Sequence, residues 1–511
     1  MPTDPTATAA PVPDALDVLI VGAGISGISA AYHLQRDHPD KTYAVVDARA
    51  ASGGTWDQFR YPGIRSDSDL QTFGYRFKPW TGRKILADGP SILAYLREAA
   101  REHGIDRRIH LSTRVVGAAW SSDDARWHVD LEDAEGGTRQ TVTCRWLSVA
   151  TGFFRQEAAY VPEYPDLDAY RGTFVHPQFW PEDLDVDGRR VVVIGSGATA
   201  MTLVPALAAR GARVTMLQRS PGYVFSLPAV DKTAILARRV LGDRIGHAVI
   251  RWRNAKIYSG LYRVSQRFPG VVKRVIRWSQ RRQLPEDFDF RHLTPRYDPW
   301  DQRLCVVPDG DLFRELREGR MSIVTDRIER FTATGVTTAS GEHLEADVVV
   351  SATGFDMQPI CSFPLTVDGE ERPVPERVSF RGMMLSDVPN LSYVLGYVTN
   401  SWTLKSDLVA EHVSRMLTYL DEQGVDACVP RVPEGMAIRD TVEEFMPGYI
   451  QRSLHRFPKQ GDRDPWIAHL IYGDDVRLLR RMPVGSRDLE LIAARPPATV
   501  PGADRATGAV R

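Results

Sequence analysis

The chain has 511 residues, enough for two or three domains that each bury a core. Its apolar, charged and Gly/Pro fractions are those of an ordinary globular protein, and a net charge of −1 excludes a global field drawing it to nucleic acid or membrane. Its four cysteines, Cys144, Cys305, Cys361 and Cys428, are far apart and form neither a C-x-x-C pair nor a metal-ligand spacing. That argues against a flavin disulfide reductase and for reduced thiols in the cytoplasm, with no metal site expected.

Residues 1–13 are mostly Pro, Thr and Ala without the basic and apolar regions of a secretory signal, and are expected to form a disordered tail. Residues 495–511, rich in Pro, Ala and Gly, are expected to behave alike. No apolar run approaches the ~18 residues that a membrane span needs.

Residues 17–21 form a short apolar run of β type, followed at once by Gly22-Ala23-Gly24-Ile25-Ser26-Gly27 and a helical pattern over 28–35. A second apolar run, 42–46, ends at Asp47, twenty residues past the third glycine. Strand, tight turn, helix, strand and acid is the dinucleotide fingerprint. Gly22 makes the turn, Gly24 admits a pyrophosphate to the backbone, and Gly27 lets helix and strand pack closely. The helix start offers N–H groups and partial positive charge to phosphates, and Asp47 accepts ribose hydroxyls. Next comes Gly53-Gly54-Thr55-Trp56, then Tyr61-Pro62-Gly63-Ile64-Arg65-Ser66-Asp67. Here Trp56 and Tyr61 are expected to wall a flat ring system, and Pro62-Gly63 to set a turn. Spacing alone does not choose between Asp67 and Asp69 as the acid carried beyond that turn.

An apolar strand ends in Ala150-Thr151-Gly152, and another in Ala352-Thr353-Gly354. Two such exits suggest two crossings between domains. The first domain is therefore expected to be discontinuous, residues 14–165 and 352–494, with a second domain, 166–351, inserted in it. The overall class is α/β, with two Rossmann-like domains and a helical insert at 228–292.

The second unit opens with a strand at 190–194 and Gly195-Ser196-Gly197-Ala198-Thr199-Ala200, Ala being permitted at the last position. Its second strand ends in Gln218-Arg219-Ser220 rather than an acid. A carboxylate there would repel a 2′-phosphate and a guanidinium binds one, which favours NADPH over NADH. Residues 238–282 are helical in pattern and strongly basic, with Asp243 the one acid, and carry Trp252, Tyr258, Tyr262, Phe268 and Trp278. The expected arrangement is an amphipathic cap with aromatics in the core and arginines in water. The rival arrangement presents this insert to an anionic membrane or nucleic acid.

Between the two fingerprints lies Tyr170-x-Gly172-x-x-x-His176-x-x-x-Trp180-Pro181. It resembles the signature of type I Baeyer–Villiger monooxygenases, F-x-G-x-x-x-H-x-x-x-W-P/D, with Tyr for the leading Phe. The stretch from Gly53 to Asp67 resembles a second motif of that family, G-G-x-W-x-x-x-x-Y/F-P-G-x-x-x-D. Residues 61–69, 176–184 and 297–305 resemble its ethionamide-activating branch, and the likeness runs between the tails. The resemblance implies FAD on the first unit, with Ser26, Gly54, Thr55, Trp56, Asp67 and Val115 in its site, and NADPH on the second, with Gly195, Gly197, Thr199, Arg219 and Ser220. It puts the catalytic cation on Arg303, oriented by Asp67. A lysine precedes that arginine in many family members; here it is Gln302, which leaves more of the phosphate recognition to Arg219.

The implied reaction takes a hydride from NADPH to the flavin, adds O2 at flavin C4a, and attacks a ketone carbonyl with the peroxide to give an ester or lactone. Sulfides and thiocarbonyls are further expected substrates. His176 belongs to the hinge on this reading, not to proton transfer. The alternative is a flavin monooxygenase that oxygenates nitrogen or sulfur and leaves ketones alone. Beyond residue 354, the run 391–398 is expected to be a strand, and 399–405 to open a helix through Leu417 whose start faces the flavin. Aromatics in 445–457 and 466–472 either line the substrate pocket or only pack.

Overall fold

The computed structural model describes residues 11–134, 136–397, 400–441 and 447–493. The expected tails at 1–10 and 495–511, and the positions Val398, Thr399, Phe445 and Met446, lie outside the described residues. Within the first expected tail, Val12 is buried and its carbonyl accepts from the Gln140 side chain, so the packed fold begins earlier than its composition suggests.

Two sheets carry the molecule, the first mixed and the second parallel. In the first, Ala15–Val21 lies between Tyr43–Val46 and Arg139–Val149, parallel to both. Its apolar run is buried on nearly every side, as a central parallel strand requires. An antiparallel meander, Thr113–Ser121, Arg126–Asp133 and Arg139–Val149, extends the sheet. Leu365–Val367 and Leu391–Tyr393 then join it from the far side of the second unit, pairing with Thr113–Ser121 and Arg139–Val149. The helix Ile25–Asp37 packs against the long helix Trp402–Gln423.

The second sheet is five-stranded, in the order Met321–Thr325, Arg213–Gln218, Arg190–Ile194, Val348–Ser351, Thr173–Val175. The helix Ala198–Ala209 follows its central strand, Arg190–Ile194. The two units repeat one device. Gly22 and Gly195 both have positive φ, 110° and 134°, and a Cβ on either would lie 2.5 or 2.3 Å from the carbonyl oxygen of Ala150 or Ala352. The strand exits ending in Ala-Thr-Gly thus sit against the glycine turns, and only a residue without Cβ fits there.

The helical insert departs from the expected cap. Lys232–Arg267, kinked at Gly242, and Pro269–Arg281 form a hairpin. Trp252, Phe268 and Trp278 are 66%, 55% and 60% exposed, while Arg251 is buried. Arg251 donates to the carbonyls of Gln71, Thr72 and Gly74 and pairs with buried Asp407 at 3.1 Å. Burial raises the Asp407 carboxyl, but His33 at 3.7 Å, the Arg251 charge and the hydrogen bond from the Ser29 hydroxyl together hold it below the usual carboxylate range. The helix is therefore anchored by its polar stripe and shows its apolar stripe to solvent. Periodicity locates a stripe; it does not say which side the rest of the chain covers.

Candidate functional site

One large cavity runs along the C-terminal ends of the first sheet's strands. Gly22, Gly24, Ser26, Asp47, Gly54, Thr55, Trp56, Asp67, Val115 and Arg303 all line it. Gly24 caps Ile25–Asp37 with no side-chain partner, so the first N–H groups of that helix belong to the cavity wall. Gly24 and Gly54 face each other, with a Cβ on Gly24 only 3.6 Å from Gly54 Cα, leaving a narrow all-backbone cradle. Gly27 stands behind it, where a Cβ would lie 1.8 Å from the Gly22 carbonyl oxygen. Asp47 accepts from the backbone N–H groups of Ala23 and Arg49 at 2.7 and 2.9 Å. Burial pushes its carboxyl up against those bonds, and each oxygen keeps a lone pair for a hydroxyl. Cradle, bare helix start and buried acid fit the pyrophosphate and ribose of a dinucleotide.

The loop after Gly54 leaves the first unit and docks on the second. Tyr61 is buried in the second unit's core, where burial raises its phenol pKa beside the Thr202 and Thr199 side chains. It does not wall the cavity as expected; Trp56 does. At Gly63, φ 78°, the chain passes so close to Ala198–Ala209 that a Cβ would lie 2.4 Å from the Thr202 carbonyl oxygen. Arg65 pairs with Asp311 at 2.5 Å. The loop is thus pinned twice before it delivers Asp67 to the cavity. Arg303 comes from the segment before Cys305–Pro308, which pairs with Val224–Leu227. Its Nε lies 2.7 Å from Asp67 Oδ2, and its guanidinium also reaches Ser68 Oγ at 3.4 Å.

Asp69, inseparable from Asp67 by spacing, has a different task. It is buried, caps the short helix Leu70–Phe73 through the N–H groups of Gln71 and Thr72, and receives the Asn254 amide at 2.7 Å. Burial raises its carboxyl above the usual range. It ties the helical insert to the loop that presents Asp67.

Gly195, Gly197, Thr199, Arg219, Ser220 and Gln302 are not among the walls of the large cavity. Arg219 and Ser220 are exposed beyond the end of Arg213–Gln218, and Ser196 Oγ donates to the Ser220 carbonyl at 2.8 Å, holding that bend beside the second fingerprint. In the connector, a Cβ on Gly172 would lie 2.2 Å from the Tyr170 hydroxyl. His176 is buried, accepts the Gln178 N–H at Nδ1 and packs edge-on against Phe355. Burial lowers its pKa, which keeps the ring neutral. The Gln178 amide holds the carbonyls of Arg155 and Gln156, and Trp180 packs on the second unit's core. The connector therefore grips both crossings between the units, at 153–156 and at 354–355.

Other walls of the cavity carried little signal. Phe153 stacks on Trp402 with centroids 4.8 Å apart, and Trp402 Nε1 donates to Ser26 Oγ at 2.8 Å. Tyr397, Asn400, Tyr449, Phe457 and Leu470 also line the cavity. Of the late aromatics, Trp466 only packs, against Phe380, with its Nε1 on Asp488. The strand expected at 391–398 stops at Tyr393, where pairing with Val149 ends and the chain turns to line the cavity.

The four cysteines are free and buried, and burial pushes each thiol up to about 12. At pH 8 the thiolate fraction is then about one in ten thousand. Native protein titrated with a thiol-specific chromophore should show no fast-reacting thiol, and four after denaturation. One rapid native thiol would expose an error in the packing around it. Among the described residues, no group of His, Cys, Asp and Glu is placed to hold a metal ion, and no helix is long and apolar enough to cross a membrane.

Two dinucleotide-type folds joined by two crossings, with an Arg–Asp pair in the first fold's cavity, define a class of two-domain flavin oxidoreductases. The comparisons with known proteins agree. The pyridine nucleotide-disulphide oxidoreductase family model matches residues 16–239, although the scattered thiols provide no redox pair. The FAD-containing monooxygenase EthA of Mycobacterium tuberculosis is 47% identical over 483 residues, covering 94% of this chain and 98% of that protein. The probable FAD-binding monooxygenase AlmA of Acinetobacter baylyi is 46% identical over 467 residues, 91% of this chain and 94% of its own length. Among solved structures, an oxidised steroid monooxygenase bound to NADP matches with a TM-score of 0.72 at 21% identity, over 94% of this chain and all of that one. The chain belongs to the FAD-containing monooxygenases.

Proposed function

We propose that this protein is an NADPH-dependent Baeyer–Villiger monooxygenase, converting ketones to esters or lactones and oxidising sulfides or thiocarbonyls as well. The observation that carries the reading is the Arg303–Asp67 pair in the wall of the cavity that begins at the Gly22–Gly24 turn. Bound FAD, reduced by NADPH, supplies the oxygen activation. Gly22, Gly24, Ser26 and Gly54 would hold its pyrophosphate region, Asp47 its ribose, and Trp56 and Val115 would flank it. The protein's own contribution to the chemistry is a fixed cation. Arg303 keeps its charge under working conditions and stabilises negative charge developing on the substrate carbonyl oxygen. Asp67 orients the guanidinium, and the pinned loop from Tyr61 to Arg65 orients Asp67. His176 holds the connector and moves no proton.

The second fingerprint, with Gly195, Gly197 and Thr199, would carry NADPH, and exposed Arg219 beside Ser220 would take the 2′-phosphate. Gln302 offers only a neutral contact where a lysine would add charge. Arg219→Ala should raise the KM for NADPH far more than that for NADH; equal changes would remove Arg219 from the phosphate site. The test of the reaction is product mass from a small ketone panel plus a thioether, with NADPH and labelled O2. An ester or lactone carrying one labelled oxygen supports the proposal. Sulfoxide alone, with every ketone returned unchanged across pH, overturns it in favour of heteroatom oxygenation.

A further inference from the structure

Seventeen large apolar residues stand out as exposed among the described residues, and thirteen of them lie between Leu236 and Trp278. They are not scattered. Along Lys232–Arg267 the exposed set includes Ile245, Val249 and Trp252, then Ile257, Leu261 and Val264, and the second helix continues it with Val271, Val275 and Trp278. Steps of three and four residues put each set on one helical face. The buried face of the long helix is mixed, with His247, Arg251, Asn254, Ser259 and Ser265 beside Ile250 and Ala255. The hairpin thus turns large apolar side chains outward along both helices.

Charge selects the occupant. Residues 238–282 hold thirteen Lys and Arg and one acid, a net of +12, while the chain as a whole carries −1. Arg239, Arg244, Lys256, Arg263, Arg267 and Arg274 are exposed among the apolar side chains. A second copy of this hairpin would bring two such clusters face to face, and like charges repel. A nucleic acid would satisfy the arginines but not the outward Val, Leu, Ile and Trp. An anionic lipid surface satisfies both. The apolar stripe enters the headgroup–acyl boundary, the tryptophans sit at the interface, and the long basic side chains reach lipid phosphates. Neither helix is apolar enough to span.

We propose that the hairpin Lys232–Arg281 is a peripheral membrane-docking surface for anionic bilayers. Its inner face explains why a monooxygenase would carry it. Asn254 bonds Asp69, and Tyr258, one turn further, lies within electrostatic range of Asp69, Arg303 and Asp67. Docking places the hairpin's outer side on lipid, where apolar substrates concentrate, and its Asp69-bonded side toward the loop that presents Asp67.

The test is co-sedimentation of the full-length, flavin-loaded protein with vesicles of phosphatidylcholine containing phosphatidylglycerol, and with phosphatidylcholine alone. It needs no turnover, so it stands or falls separately from the ketone reading. Wild type should pellet with the anionic vesicles and be released progressively by salt. The triple variant W252S/F268S/W278S should lower the partition coefficient about tenfold or more, and R263E/R267E/R274E should abolish the preference for anionic lipid. All six side chains are exposed, so flavin content and circular dichroism should match wild type. Three outcomes overturn the proposal: wild type left in the supernatant with anionic vesicles at low salt, the triple variant binding as well as wild type, or an assembly of wild type that the triple variant dissolves while neither binds vesicles.

Discussion

Arg303→Ala should leave reduction of the flavin by NADPH within a few-fold of wild type and remove ester formation. Stopped-flow loss of the flavin's visible absorbance reports the first step, and product mass the second. Losing one preorganised donor to a developing oxyanion costs about 3–4 kcal/mol, or roughly a hundred- to thousandfold in kcat. The geometry argues for the upper end. Arg303 Nε is held at 2.7 Å by Asp67, on a loop itself fixed by the buried Tyr61, the close approach at Gly63 and the Arg65–Asp311 pair. Water entering an alanine site would have no such orientation. Arg303→Lys keeps a charge but loses the planar fork, and should recover only part of the activity. Asp67→Asn keeps the shape and loses the ion pair, and should fall between wild type and Arg303→Ala. Ester formation at wild-type rates by Arg303→Ala would take the arginine out of the reaction altogether.

The second large effect separates binding from folding at the first fingerprint. Gly24→Val places its Cβ 3.6 Å from Gly54 Cα, an ordinary contact, so the chain should fold while the added side chain fills the cradle. The purified variant should be colourless, with wild-type circular dichroism and no flavin released on denaturation. Gly27→Val is a different case. Its Cβ would fall 1.8 Å from the Gly22 carbonyl oxygen, which belongs to backbone and cannot rotate away. Helix and strand must separate, and insoluble or thermally weakened protein should result. In the second unit the equivalent position is Ala200, fully buried, so that helix packs with room for a methyl group. A yellow, stoichiometrically loaded Gly24→Val would contradict the assignment of the first unit to FAD.

Much of the site was legible because its components are local. Each fingerprint needs a strand, a turn without Cβ and a helix start within about thirty residues, and both lie as written along the chain. The two Ala-Thr-Gly exits were legible for the same reason, since each ends a strand that must meet a glycine turn. Asp67 and Asp69 were not separable by local reasoning, because two acids two residues apart differ only in what surrounds them. The burial of Asp69 under Asn254 and the exposure of Asp67 to Arg303 are long-range facts. Tyr61 shows the same limit. As an aromatic beside a glycine loop it reads as a cofactor wall, but the second unit's core lies closer and takes it.

The helical insert marks the division most plainly. Its composition and helical period follow from its own residues, and so does the basic charge. Which stripe faces inward does not. A period of 3.6 defines two faces equally well, and burial of polar residues is affordable where they find partners. Here the carbonyls of Gln71, Thr72 and Gly74 and the carboxylates of Asp69 and Asp407 supply those partners, from segments up to 185 residues upstream and 156 downstream. The two dinucleotide units and their order follow from short-range backbone geometry, whereas Arg303 and Asp67 as cation and acid rest on the family resemblance. Tertiary packing brings the expected Asp67–Arg303 pair to 2.7 Å, stacks Phe153 on Trp402 in the cavity wall, and turns apolar side chains of the insert outward, because each depends on which distant segments meet.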